Sequence, residues 1–282
     1  MNILVPTDFS EEAEWGIQAA EVIAEKSNSE VILLNIIHPP NAKEFSATGD
    51  VYQKKDIETE AFTAKLIEKN QDLIYQMVKK YSTPDRMKGR VVIDYWQEGI
   101  NKMVQEYQTD LIVMGTTAEN TLKEKFVGNN TEKVIRNVDC PVLVFNRPPI
   151  GYKARKFLLA LDPAIDFDAS VKMVGKIAEE LNAEIGYLNV ADHAKDVDDR
   201  QQQLEEKLRT LGSSDPAVTI IADENLEEAL KKTAAAYHSD TLVMLTHGKS
   251  GWQSVLSNSK TEKMIRKMEI PVLSVNFSEI NK

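Results

Sequence analysis

One stretch of this chain is written twice. Residues 131–146 and 261–276 align without a gap, and nine of the sixteen positions are identical: Thr, Glu, Lys, Ile, Arg, Pro, Val, Leu and Asn. The likeness extends upstream, where Met114-Gly115-Thr116-Thr117-Ala118 corresponds to Met244-Leu245-Thr246-His247-Gly248. Gly128-Asn129-Asn130-Thr131 likewise corresponds to Asn258-Ser259-Lys260-Thr261. Nearer the amino terminus a second register pairs Asp8 with Asp162, Asn28 with Asn182, Glu30 with Glu184 and Asn35 with Asn189. Self-similarity of this kind marks an internal duplication. A chain of 282 residues leaves each copy enough length for its own core.

Within each copy, short apolar runs alternate with helical stripes. Ile3-Leu4-Val5 is a first strand, and Ser10 is a suitable N-cap for a helix with Ala13, Ile17, Ala20, Ile23 and Ala24 on one face. Val31 to Ile37 is too continuous for a strand with one wet face, so it reads as a central strand of a parallel sheet. Residues 41–56 are polar and irregular, and a long amphipathic helix runs from Ile57 to Tyr81. Val91-Val92-Ile93 is the third strand, Glu98 to Tyr107 a helix, Leu111 to Met114 the fourth strand and Val142 to Phe145 the fifth. The second copy repeats the plan through Phe157 to Leu161, an Asp196 to Leu211 helix, Val218 to Ile221, a Glu227 to Tyr237 helix and Thr241 to Met244, with Asp166 or Asp168 capping its first helix. It is shorter by 24 residues after its second strand, so the first copy carries the longer, lid-like segment. Steady βαβ alternation implies an α/β fold of two tandem, doubly wound, open parallel sheets. Residues 1–147 and 155–282 are the expected domains, joined by a proline-stiffened linker at 148–154.

A formal charge of −10 and the lack of a Lys/Arg block argue against nucleic acid and anionic membranes as partners. No apolar run approaches the ~18 residues of a membrane helix, and the chain enters a strand at once, so a cytoplasmic location is expected. Cys140 is the sole cysteine, which excludes an internal disulfide and reads as a small buried hydrophobe. There is no Walker A sequence, no G-x-G-x-x-G and no recognisable catalytic triad, so an enzyme is not expected. His193 and His247, near Asp162 and Asp192, lack metal-ligand spacing.

Ile3 to Ser10, the Val31 to Ile36 strand, Met114-Gly115, Gly128 and Cys140 to Val144 together resemble a universal stress protein domain, and the tandem chain is similar to the family's two-domain members. The resemblance implies strand order 3-2-1-4-5 in the adenine-nucleotide alpha-hydrolase-like fold, with a crevice at the carboxyl ends of strands one and four. Some members bind ATP there through a G-x2-G-x9-G-S/T loop. In this sequence those positions are Gly115, Ala118, Gly128 and Asn129 in the first copy, and Leu245, Gly248, Asn258 and Ser259 in the second. Bare glycine amides and a helix N-terminus suit a polyphosphate. The resemblance also implies ribose contact at Asp8 and adenine contact at the Ile36 backbone. The candidate binding residues are therefore Thr7, Asp8, Ile36, Gly115, Ala118, Gly128, Asn129, Asn130 and Thr131, with ATP as ligand and Mg²⁺ on its phosphates. Lys123 and Lys125 either screen those phosphates or are simply solvated. With Leu245 at a phosphate position, the second site is expected to be empty or repurposed.

Other readings stay open. Asn129-x-x-Glu132 and Ser259-x-x-Glu262 have capping-box spacing, and the repeated Thr131/Thr261 and Arg136/Arg266 are explained equally by helix packing and surface pairing. A tandem stress protein that binds no nucleotide and serves as an interaction module is the alternative function. Family domains pair about a two-fold axis near the fifth strand, which implies an intramolecular pseudo-dimer through Val142 to Phe145 and Val272 to Val275. A homodimer of whole chains is left open.

Overall fold

The computed structural model describes residues 1–39, 44–45, 51–52, 57–81, 86–117, 129–138, 140–163, 166–191, 197–222, 225–246 and 264–276. Ala118, Gly128, Lys123, Lys125, His193 and His247 lie outside the described residues. In the first half, β1 (Asn2–Pro6), α1 (Glu11–Ser27), β2 (Glu30–Ile37), α2 (Ile57–Tyr81), β5 (Met87–Ile93), α3 (Trp96–Glu106), β6 (Leu111–Gly115), α4 (Asn129–Asn137) and β7 (Val142–Phe145) follow the expected alternation. Two short strands fall in the stretch expected to be irregular: β3 (Glu44–Phe45) pairs antiparallel with β4 (Val51–Tyr52). The second half contains β8 (Lys156–Ala160), α5 (Asp168–Glu180), β9 (Glu184–Ala191), α6 (Val197–Thr210), β10 (Val218–Ala222), α7 (Leu226–Tyr237), β11 (Thr241–Thr246), helical residues 264–267 and β12 (Val272–Asn276).

Each half has the strand order 3-2-1-4-5, but the two sheets are not separate. They merge into one ten-stranded sheet, β10-β9-β8-β11-β12-β7-β6-β1-β2-β5. Every neighbouring pair in it is parallel except the seam, where β7 and β12 run antiparallel with Leu143 opposite Leu273. Pairing removes two edges that would otherwise offer open hydrogen-bonding rows to another chain.

Burial on both faces explains the continuous apolar strands. Ile3, Val5 and Leu33 point into a layer with Ile17, Ile23 and Val174, whereas Leu4, Ile32 and Leu34 point into the layer containing Ile100, Val134 and Leu230. Both layers cross the seam, so the halves share one core. Cys140 is buried within it at 7% exposure. The segment after β7 packs as well: Tyr152 stacks edge-on against Phe145 at 4.9 Å, and burial pushes its phenol pKa up.

The expected start of α1 is present, because side chain and backbone act together there. Ser10 caps α1 by accepting from the Ala13 amide at 3.2 Å, and Asn28 ends the helix in the left-handed conformation. At α5 the expectation fails. Phe167 occupies the N-cap without a side-chain cap bond, Asp168 is already helical, and Asp166 accepts the Asp168 amide. Phe167 is only 1% exposed, so burial of its ring places the helix start. The third strand also begins earlier than expected, at Met87, because alternating charged residues on this edge strand hide the pattern.

Candidate functional site

The turn after β1 places the first candidate residues. Phe9 takes a left-handed backbone (φ 67°), and its amide donates to Thr7 Oγ1 at 3.0 Å. Asp8 Oδ1 accepts from the Ser10 amide at 3.0 Å and the Ser10 hydroxyl at 2.5 Å. This turn leaves Asp8 exposed while Thr7 is buried, its hydroxyl directed at Met77 Sδ and its carbonyl accepting from Asn35. Asn35 is held in turn by Asn70 of α2 at 2.8 Å.

Across the switch in strand direction, β6 ends at Gly115. A Cβ there would lie 1.6 Å from the Glu12 carbonyl oxygen, and a Cβ on Gly16 would already stand 3.0 Å from the Gly115 nitrogen. The first turn of α1 therefore sits directly on the end of β6. Two glycines make that approach possible, and Gly115 is required for packing whatever it does for a ligand.

Between these elements lies a cleft of about 120 Å³. Pro6, Asp8 and Ser10 line it from the first turn, Met114 and Gly115 from β6, and Asn130 and Thr131 from the head of α4. Of the candidate residues, the structure gathers Asp8, Gly115, Asn130 and Thr131 around this space. Thr7 and Ile36 are not in the lining: Thr7 turns into the core, and the Ile36 side chain packs toward Gly99 of α3. Asn129 is the first helical residue of α4. One lining residue had no sequence signal of its own. Trp96, the first residue of α3, lies two residues before the Glu98 start that the periodicity predicts.

In the second half a space of about 10 Å³ lies between the ends of β8 and β9 and the start of α7, lined by Leu161, Asp162 and Leu226 among others. Leu161 stands for Thr7 and Leu226 for Trp96. Asp162 is 8% exposed and turned inward, whereas its counterpart Asp8 is exposed. The cause is legible in the chain: Pro163 replaces Phe9, and a proline ring holds φ near −65°, so the left-handed turn cannot form.

The repeated residues of α4 and its twin also serve the contact between halves. Arg266 pairs with Glu132 at 2.5 Å. Asn146, at the end of β7, donates to the carbonyls of Ile265 (2.6 Å) and Met268 (3.0 Å), closing the end of the opposite helix. Surface pairing thus accounts for Arg266, while Thr131 is buried beside the cleft. Among the described residues no group of three His, Cys, Asp or Glu side chains is placed to hold a metal ion. Nor, among them, is any helix long and apolar enough to cross a membrane.

The sequence model of the universal stress protein family matches residues 1–146 and 153–276. A universal stress protein of Methanocaldococcus jannaschii is 30% identical over 154 residues, covering 52% of this chain and 94% of the relative. Among solved structures, a universal stress protein from Archaeoglobus fulgidus superposes with a TM-score of 0.71 at 19% identity, covering 98% of both chains. A functionally unknown protein from Pseudomonas aeruginosa reaches 0.59 at 19% identity over 99% of this chain and 93% of that one. With both halves matched and two 3-2-1-4-5 units in place, this chain belongs to the universal stress protein family.

Proposed function

We propose that the protein is a tandem stress-response protein that binds one adenine nucleotide, as ATP, in its amino-terminal domain and none in its carboxyl-terminal domain. The observation that carries this reading is the cleft of about 120 Å³ in the first half, which gathers Asp8, Gly115, Asn130 and Thr131 around one space. The residues present fit the ligand. Asp8 offers an exposed carboxylate for ribose hydroxyls. Thr7, the residue just past β1, still bonds β2, its amide reaching the Leu34 carbonyl at 2.8 Å. By the two-residue period of a strand, the Ile36 amide and carbonyl point to that same side beyond the end of β1, where an adenine edge would be read. The head of α4, with Asn130 and Thr131, supplies amides and a favourable dipole for phosphate. Mg²⁺ would enter with the phosphates.

The domains are taken as 1–147 and 155–282, with the seam as an internal pseudo-dimer, and the protein as a cytoplasmic, non-enzymatic responder whose output is conformational. Equilibrium dialysis of the full chain against ATP at millimolar concentration should give one nucleotide per chain, weakened roughly tenfold by Asp8→Ala, the scale of one charge-assisted hydrogen bond. No bound nucleotide would favour the alternative, a stress protein acting as an interaction module, to which the substitutions at Ala118 and Asn129 point.

A further inference from the structure

The amino-terminal cleft contains a side chain that neither the loop pattern nor the family resemblance singled out. Trp96 lines it from the start of α3, and the indole Nε1 is buried without an acceptor among the described residues. Buried donors are nearly always paired, because a donor removed from water and given nothing in return is costly. The other half of the molecule provides an internal control. At the equivalent position Leu226 has no donor to satisfy.

We propose that Trp96 is a ligand-binding residue of this cleft, donating its indole N–H to an acceptor on the nucleoside part of the nucleotide while its ring covers that part from solvent. The inference rests on the adenine-nucleotide reading above. The assignment to the nucleoside follows from charge. The exposed Asp8 carboxylate shares the lining with Trp96 and repels phosphate, whereas the amides at the head of α4 attract it. An indole is neutral, with an apolar face suited to a base or sugar.

The chain has three tryptophans, Trp15, Trp96 and Trp252. A full-length variant carrying Trp15→Phe and Trp252→Phe reports on Trp96 alone. Its emission should shift as ATP saturates the protein and stay unmoved by inorganic tripolyphosphate, which lacks the nucleoside. Trp96→Phe, which keeps a ring and removes the donor, should weaken ATP binding by roughly three- to tenfold with an unchanged melting curve. Trp96→Leu, copying the second domain, should weaken it at least as much. Unaltered emission at ATP saturation, an equal response to tripolyphosphate, or wild-type affinity in Trp96→Phe overturns the role of Trp96 and leaves nucleotide binding standing. A wild-type chain that retains no ATP in dialysis removes both.

Discussion

A methyl group at residue 115 would lie inside the carbonyl oxygen of Glu12, and no side-chain rotation relieves a clash with backbone. Gly115→Ala should therefore cost about 3 kcal/mol, the upper range for overpacking, read as a lower urea midpoint at unchanged slope. Gly175 in α5 is the opposite case: a Cβ there meets nothing within 4 Å. Gly175→Ala should stabilise by about 0.5–1 kcal/mol through helix propensity and a less flexible unfolded chain. From sequence the two glycines are only a strand-end residue and a helical one. Gly115 could equally have been a turn or a phosphate contact, and only the approach of α1 separates these roles. Proline at 163 was more informative, since its fixed φ alone forbids a copy of the Phe9 turn.

Helix α7 is tied down by one carboxylate. Glu227 accepts from Lys267 at 2.7 Å and from Lys231 at 3.0 Å, and these bonds pull its pKa from the usual 4.5 down to about 2. Because the folded value is depressed, the stabilisation is fully present above the unfolded pKa and is lost as pH falls from about 4.5 toward 2. Melting temperature followed across that window should drop less steeply in Glu227→Gln than in wild type. At the other junction, Asn146→Ala leaves the Ile265 and Met268 carbonyls without their buried donor and should destabilise by about 2 kcal/mol in urea unfolding. Elements of this kind were largely legible. The 3.6-residue stripes of α1 and α2 and the apolar runs of β2 and β6 announce themselves, whereas β5 does not, because an edge strand needs little apolar surface and carries Lys88 and Arg90.

At the scale of the whole molecule, the seam has an approximate two-fold centre. Leu143 faces Leu273, its own counterpart in the repeat, with Val144 opposite Val272 on one side and Val142 opposite Ser274 on the other. An isolated amino-terminal half would expose β7 and the apolar residues of both core layers beside it. Residues 1–147 expressed alone should therefore sediment as a dimer with Leu143 facing Leu143, and a stable monomer in analytical ultracentrifugation would contradict this. Lys88 and Arg90 on the edge strand β5 limit further growth of the sheet on that side in the intact chain.

The duplication, the α/β class and the five-strand unit follow from sequence alone, because hydrophobic period and helix caps are local and were copied with the gene segment. The departure of the second copy from the first was partly written there too, in Leu245 and Pro163. Only the tertiary structure decided that Gly115 is held by helix packing and that Trp96 presents its side chain to the cleft. Each of these depends on contacts between residues distant in sequence, and such contacts leave no periodic trace along the chain.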